Sequence, residues 1–134
     1  MVHALINARR VLTRQGLLLD IHPMPARPTI CWMSPERRWF VGRLKGRRKR
    51  FRVAQENLDR VVRQGLFRLR HSEVFVLRHH AVSLSSLLAY VAREFPRSQV
   101  DNRAVRRARD LLGPRAVGHL VIEERTRVSI LTKI

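Results

Sequence analysis

Seven of the ten residues from Arg43 to Arg52 are cationic, and none is acidic. They are Arg43, Lys45, Arg47, Arg48, Lys49, Arg50 and Arg52. Charges packed this closely repel one another and oppose a compact state unless a polyanion is near. Whatever scaffold forms has to carry this run at its surface. The rest of the chain deepens the imbalance, with 28 Lys and Arg against 10 Asp and Glu and a formal net charge of +18. Nearly all the cations are arginine; only Lys45, Lys49 and Lys133 are lysine. Codon bias exchanges lysine for arginine but does not remove acids. The excess therefore points to an anionic partner, whether nucleic acid, an anionic membrane surface or an acidic protein. Arginine suits phosphate because its planar fork donates two parallel hydrogen bonds.

At 134 residues the chain has the length of one ordinary domain, expected to span 1–134. That is enough to bury a core without disulfides or metal. A hydrophobic fraction of 45% argues against wholesale disorder. Cys31, the single cysteine, has no internal partner, which fits a reducing compartment; the expected location is the cytoplasm. No apolar run approaches the length of a membrane span. The segment from Met1 to Gln15 is acid-free and amphipathic, as organelle presequences are, yet the same spacing makes a packed helix.

The periodicity alternates between helix and strand. Val2 to Thr13 reads as a helix, with Ala4, Leu5, Ala8, Val11 and Leu12 on one face and Gly16 as its stop. Leu17 to Ile21 reads as a buried strand, ended by His22-Pro23-Met24-Pro25. Thr29 to Met33 and Arg38 to Leu44 form a hairpin around Ser34-Pro35-Glu36. The cationic run then makes a loop tip, or a loop leading into a helix marked by Phe51, Ala54, Leu58, Val61 and Val62 and ended by Gly65. Phe67 to His71 and Val74 to His80 read as a second hairpin around Ser72-Glu73. Ser83 caps a helix with a stripe of Leu84, Leu87, Leu88, Val91 and Phe95. A last helix from Asp101 or Asn102 turns Ala104, Val105, Ala108, Leu111 and Leu112 inward and Arg103, Arg106, Arg107 and Arg109 outward. His119 to Ile134 alternates as one long strand or a hairpin. The expected class is α/β or α+β, a mixed sheet with β-hairpins packed by about four helices.

The segment Ala8-Arg9-Arg10-Val11-Leu12-Thr13-Arg14-Gln15-Gly16-Leu17-Leu18-Leu19-Asp20 resembles one piece of the class I S-adenosylmethionine-dependent methyltransferases. There a helix of the type A-x-R-V-L runs into R-P-G-G and a buried strand late in the sheet. Here Thr13-Arg14-Gln15-Gly16 keeps the last glycine and lacks the proline. The order that follows is also similar: a hairpin, a helix, a strand entered at Gly65-Leu66-Phe67, a Ser-capped helix from Ser83 to Phe95, and strands at the end. The resemblance covers most of the chain, as that family's C-terminal half. The family's cofactor half carries a glycine-rich loop and an acid at the end of the next strand. This chain has no G-x-G-x-G and no such acid, so no cofactor-binding residue carries over and no cofactor is expected. The resemblance implies a truncated or standalone relative without methyl transfer. It also implies an exposed sheet edge where strands are missing, and hence a homodimer or a protein partner.

No catalytic or metal motif stands beside the cationic run. Adjacent His79 and His80 in a strand point to opposite faces and do not converge on one ion. With one cysteine and no H-x3-H spacing, a zinc site is not expected. Asp20 and His22 share a strand face, as a base and its orienter would, but a strand-end hydrogen bond is the simpler role because no nucleophile is evident nearby. Cys31 is expected to be packed, and Glu123-Glu124 to balance Arg125 and Arg127. Trp32 and Trp39 are expected to face each other across the hairpin, with Phe40 and Phe51 in the core and Trp39 left open as a base-stacking residue. The expected function is a small, basic, non-enzymatic nucleic-acid-associated protein. Its phosphate contacts are Arg43, Lys45, Arg47, Arg48, Lys49, Arg50 and Arg52, with Arg103, Arg106 and Arg107 on the last helix. Such contacts are salt-dependent and carry no base specificity. The alternative is a methyltransferase-like fragment acting as a homo-oligomeric or protein-interaction subunit.

Overall fold

The computed structural model describes residues 2–46, 48–113 and 117–134. Along the chain run α1 (Val2–Val11), β1 (Leu17–Pro23), β2 (Thr29–Met33), β3 (Arg38–Arg43), β4 (Lys45–Gly46) and α2 (Lys49–Arg63). They are followed by β5 (Phe67–Ala81), α3 (Leu84–Glu94), β6 (Ser98–Gln99), α4 (Asn102–Leu111) and β7 (His119–Lys133). Helices and an extensively antiparallel sheet give the α/β, or α+β, class expected from the periodicity. The chain divides into two compact units. One comprises Met1–Pro25, Arg48–Phe75 and Arg125–Ile134; the other comprises Ala26–Arg47 and Val76–Glu124. The long strands β5 and β7 contribute residues to each.

In the first unit β1 pairs antiparallel with the second half of β7, setting Leu18 opposite Leu131, Asp20 opposite Ser129 and His22 opposite Arg127. Ser72 of β5 lies beside Ser129, hydroxyl to hydroxyl at 3.3 Å. The core gathers Leu5 from α1, Leu58 and Val61 from α2, Phe67 and Leu131, with Leu12, Leu18, Val62 and Leu66 packed against it. Burying a side chain such as Phe67 stabilises by about 1.5–3 kcal/mol. Gly65 ends α2 at φ +68. Its N–H bonds to the Val62 carbonyl at 3.0 Å, and the Leu66 N–H reaches the Val61 carbonyl at 3.1 Å. This paired closure satisfies the last orphan carbonyls and needs a residue that tolerates the left-handed region. Lys133 Nζ donates to the Leu12 carbonyl at 3.0 Å, and Arg9 donates to the Leu66 and Ile134 carbonyls. The largely apolar run from Leu17 to Ile21 reads as a buried strand. Only alternate side chains are covered: Leu17, Leu19 and Ile21 are 62%, 57% and 56% exposed. β1 is also the terminal strand of its sheet.

In the second unit β2 lies between β3 and the first half of β7, antiparallel to both. The β2–β3 register shifts between Ile30 and Cys31. Ile30 pairs with Gly42 and Cys31 with Phe40, which leaves Val41 as the extra residue of a bulge. Trp32 does face Trp39 across the hairpin. The core holds Ile30, Val41, Leu44, Ala81, Leu87, Val91, Ala104, Ala108, Leu120 and Ile122. Small residues set the approach of α4 to β3: a Cβ added to Gly42 would lie 2.6 Å from the Ala104 Cβ. Ser83 caps α3 through a reciprocal pair of bonds with Ser86, and Asp101 caps α4 by accepting from the Ala104 N–H at 2.9 Å. A two-residue ribbon pairs Lys45 with Gln99 and Gly46 with Ser98.

The expected second hairpin is instead the single strand β5. Ser72-Glu73 contains none of the Gly, Asn or Pro chemistry that a tight turn uses, and Ser72 spends its hydroxyl on β7 instead. The C-terminal segment is one strand rather than a hairpin.

Candidate nucleic-acid interface

The cationic run is more regular than a loop. Arg43 closes β3, Lys45 opens β4, Arg48 is the residue before α2, and Lys49, Arg50 and Arg52 form that helix's first turns. Arg47 lies outside the described residues. The run also changes unit partway along. Arg43 and Lys45 belong to the second unit, and Arg48, Lys49, Arg50 and Arg52 to the first.

In the first unit Arg48 is committed to structure. Its Nη2 donates to the Met24 carbonyl at 2.9 Å, and its guanidinium lies 4.2 Å from the Phe51 ring centre. Arg50 covers the same ring at 4.6 Å. Phe51 is therefore a half-buried platform for two cations rather than a core residue. Lys49, Arg50 and Arg52 are exposed, and Arg52 pairs with Glu56 one helical turn on at 3.6 Å. Cations at a helix N-terminus oppose its dipole, so a bound anion there would relieve an unfavourable arrangement.

The second unit brings two sequence-separated groups together. Lys45 and Arg103 line one open groove of about 500 Å³ with Gln99, Val100, Asp101 and Asn102. The β4–β6 ribbon and the N-terminus of α4 build it. Ala104 and Ala108 turn into the core, which leaves Arg103, Arg106, Arg107 and Arg109 exposed. Asp101 lies in the groove and pairs with Lys45 at 3.2 Å. Its carboxyl is held below the usual range by the Ala104 N–H and then by Lys45. The helix cap orients the Asp101 carboxylate, and the ion pair draws the Lys45 ammonium toward it in the groove that Arg103 also lines.

Other candidates resolve into packing or pairing. Phe40, expected in the core, is 50% exposed with Arg43 over its ring at 5.9 Å. The bulge at Val41 is the reason, since Val41 takes the core place while Phe40 pairs with Cys31. Trp39 is 47% exposed, with Arg37 above it at 5.9 Å. His79 stacks on Tyr90 at 3.4 Å, whereas His80 Nδ1 reaches His119 Nε2 at 2.7 Å. Among the described residues no three His, Cys, Asp or Glu side chains converge as a metal would require. No helix among them is long and apolar enough to cross a membrane. In the first unit His22 Nδ1 bonds to Asp20 Oδ2 at 2.5 Å and its Nε2 to Gln55 Oε1 at 3.0 Å.

A three-charge cluster has no local signature in the sequence. Glu123 accepts from Arg38 Nη2 at 2.5 Å and from Arg78 Nε at 3.0 Å, rather than balancing Arg125 and Arg127. Burial works to raise the Glu123 pKa, but the bonds from Arg38 and Arg78 outweigh it and leave the carboxyl below its ordinary value. The buried Cys31 thiol lies 3.9 Å from Glu123 Oε2. Its pKa is pushed up, first by burial, with Arg38 opposing and Glu123 adding. Arg38, Arg78 and Glu123 come from three strands, and only cross-strand register could have joined them. Comparison with protein families, with curated proteins and with solved structures finds no match to this chain.

Proposed function

We propose that this protein is a small, basic, nucleic-acid-associated protein that acts by binding, holding a phosphate backbone along Lys45, Arg103, Arg106 and Arg107. The carrying observation is the groove in which Lys45 meets Arg103 at the start of the exposed α4 arginine stripe. Planar guanidinium forks spaced along one helix face match a run of phosphates. Arg43, exposed in the same unit, adds to the affinity, and Lys49, Arg50 and Arg52 of the other unit are a separate exposed cationic group. Trp39, half-exposed at the edge strand β3, is the residue on which an unpaired base would stack. A cytoplasmic location belongs to the same reading.

The test is titration against mixed DNA and RNA oligonucleotides at rising salt. Neutralising Lys45, Arg103, Arg106 and Arg107 together to Gln should lower the slope of log affinity against log salt by roughly 3, at 0.7–0.9 per phosphate contact. An unchanged slope overturns the α4 assignment. A slope lost only when Lys49, Arg50 and Arg52 are neutralised moves the contact to α2.

One observation favours a second reading, a protein-interaction subunit. Leu17, Leu19 and Ile21 are exposed on β1, which ends the strand order and pairs only with β7 among the described strands, the position at which sheets add a further strand. Sedimentation with and without nucleic acid separates the two readings. A stable dimer without nucleic-acid affinity, dispersed by Leu19→Lys, supports the second.

A further inference from the structure

In the first unit the sheet face beneath α2 is unexpectedly polar. The β1–β7 register places Asp20 with Ser129 and His22 with Arg127. Ser129 is 1% exposed and shares its hydroxyl contact with Ser72. Between this face and α2 lies a groove of about 280 Å³. Arg127 lines it, and its Nε is buried with no hydrogen-bond partner among the described residues. A buried guanidinium donor left unpaired costs free energy that a correctly placed acceptor would recover.

The lining has two characters. Arg127, Ser72 and Ser129 supply donors along the strands, while Leu58, Val62 and Leu69 supply an apolar wall. Two guanidiniums, Arg127 and Arg63, and one carboxylate, Asp59, line the groove, a formal balance of one positive charge. Asp59 accepts from Gln55 Nε2 at 2.7 Å, and Gln55 is itself bonded to His22, so this side of the groove is braced by a hydrogen-bonded chain. One net charge suits a monoanion better than a phosphate dianion. The planar fork of arginine suits a carboxylate, and the leucine and valine wall suits an apolar body.

We propose that the groove between α2, β5 and β7 binds a small monocarboxylate with a compact apolar body, its carboxylate on Arg127 and the Ser72–Ser129 hydroxyls and its body against Leu58, Val62 and Leu69. This site lies apart in the sequence from the Lys45–Arg103 groove and does not depend on nucleic-acid binding. The probe is benzoate, titrated into the full chain and followed by amide chemical shifts, with inorganic phosphate as the comparison anion. Saturable shifts should concentrate at residues lining the groove, with phosphate weaker. Arg127→Met removes the fork while filling the space, and should raise the benzoate Kd at least about tenfold. Ser72→Ala should raise it by a smaller factor. Absence of saturation in the wild-type chain, shifts centred elsewhere, tighter phosphate than benzoate, or equal affinity in Arg127→Met would each overturn the proposal. If Arg127→Met does not fold, the wild-type shift map and Ser72→Ala decide the matter.

Discussion

Replacing Glu123 by glutamine tests the electrostatic reading of the second unit. Glutamine keeps the volume but removes the charge. It also turns an NH2 group toward one of the two guanidiniums, so that donor faces donor. A hydrogen bond to a charged partner contributes about 1.5–3 kcal/mol. The Glu123 side chain is 12% exposed, but those of Arg38 and Arg78 are each 50% exposed. Solvent screening therefore reduces each bond to about 1 kcal/mol, and Glu123→Gln should cost about 2 kcal/mol near neutral pH. The pH dependence follows from the depressed carboxyl pKa. A group whose folded pKa lies below its unfolded value stabilises fully above the unfolded value, here 4.5, and loses that contribution as pH falls through the folded value. The assay is urea unfolding of both proteins, followed by far-ultraviolet circular dichroism, from neutral to acid pH. The deficit of Glu123→Gln should hold at neutral pH and shrink below 4.5, because protonated glutamate resembles glutamine. Equal stability at neutral pH refutes the argument. So does a deficit that persists once glutamate is protonated, which would assign the cost to packing.

Two further substitutions probe the backbone. Gly65→Ala places a side chain at φ +68 with nothing within 4 Å of the new Cβ, so the cost is conformational alone. It should be about 1–2 kcal/mol by urea unfolding, and Asn at the same position should recover part of it. Gly42→Ala drives a Cβ to 2.6 Å from that of Ala104. Moving α4 off β3 should cost about 1–3 kcal/mol and speed amide exchange along α4.

Legibility followed the range of the interaction. The β2–β3 hairpin, the Ser83 cap, the start of α4 at Asn102 and the Gly65 stop are written in residues a few positions apart, and they fall where expected. The expected break at Ser72-Glu73 fails because β5 is held by a continuous partner, β7, far away in the chain. Phe40 was misplaced because strict alternation does not anticipate an inserted residue such as Val41. The arginine face of α4 was legible from the spacing of Ala104 and Ala108. Its neighbour Lys45 was not, because the β4–β6 ribbon that brings the two together is two residues long in each strand. The charge run itself was visible at once, but its division between β3, β4 and α2 depends on where strand pairing stops.

The placement of the aromatic residues has a spectroscopic consequence. The chain has two tryptophans and one tyrosine, Trp32, Trp39 and Tyr90, and all three lie in the second unit. Emission excited in the near ultraviolet therefore originates there alone, and the first unit, with Phe67 at its core, is dark. The two indoles also differ, since Trp32 packs against the core and Trp39 is half-exposed beneath Arg37. An anionic quencher drawn to the cationic surface would dim Trp39 first. Unfolding of the second unit would release Trp32. One chain thus carries a surface reporter and a core reporter in the same unit, and any event confined to the other unit has to be followed by a different signal.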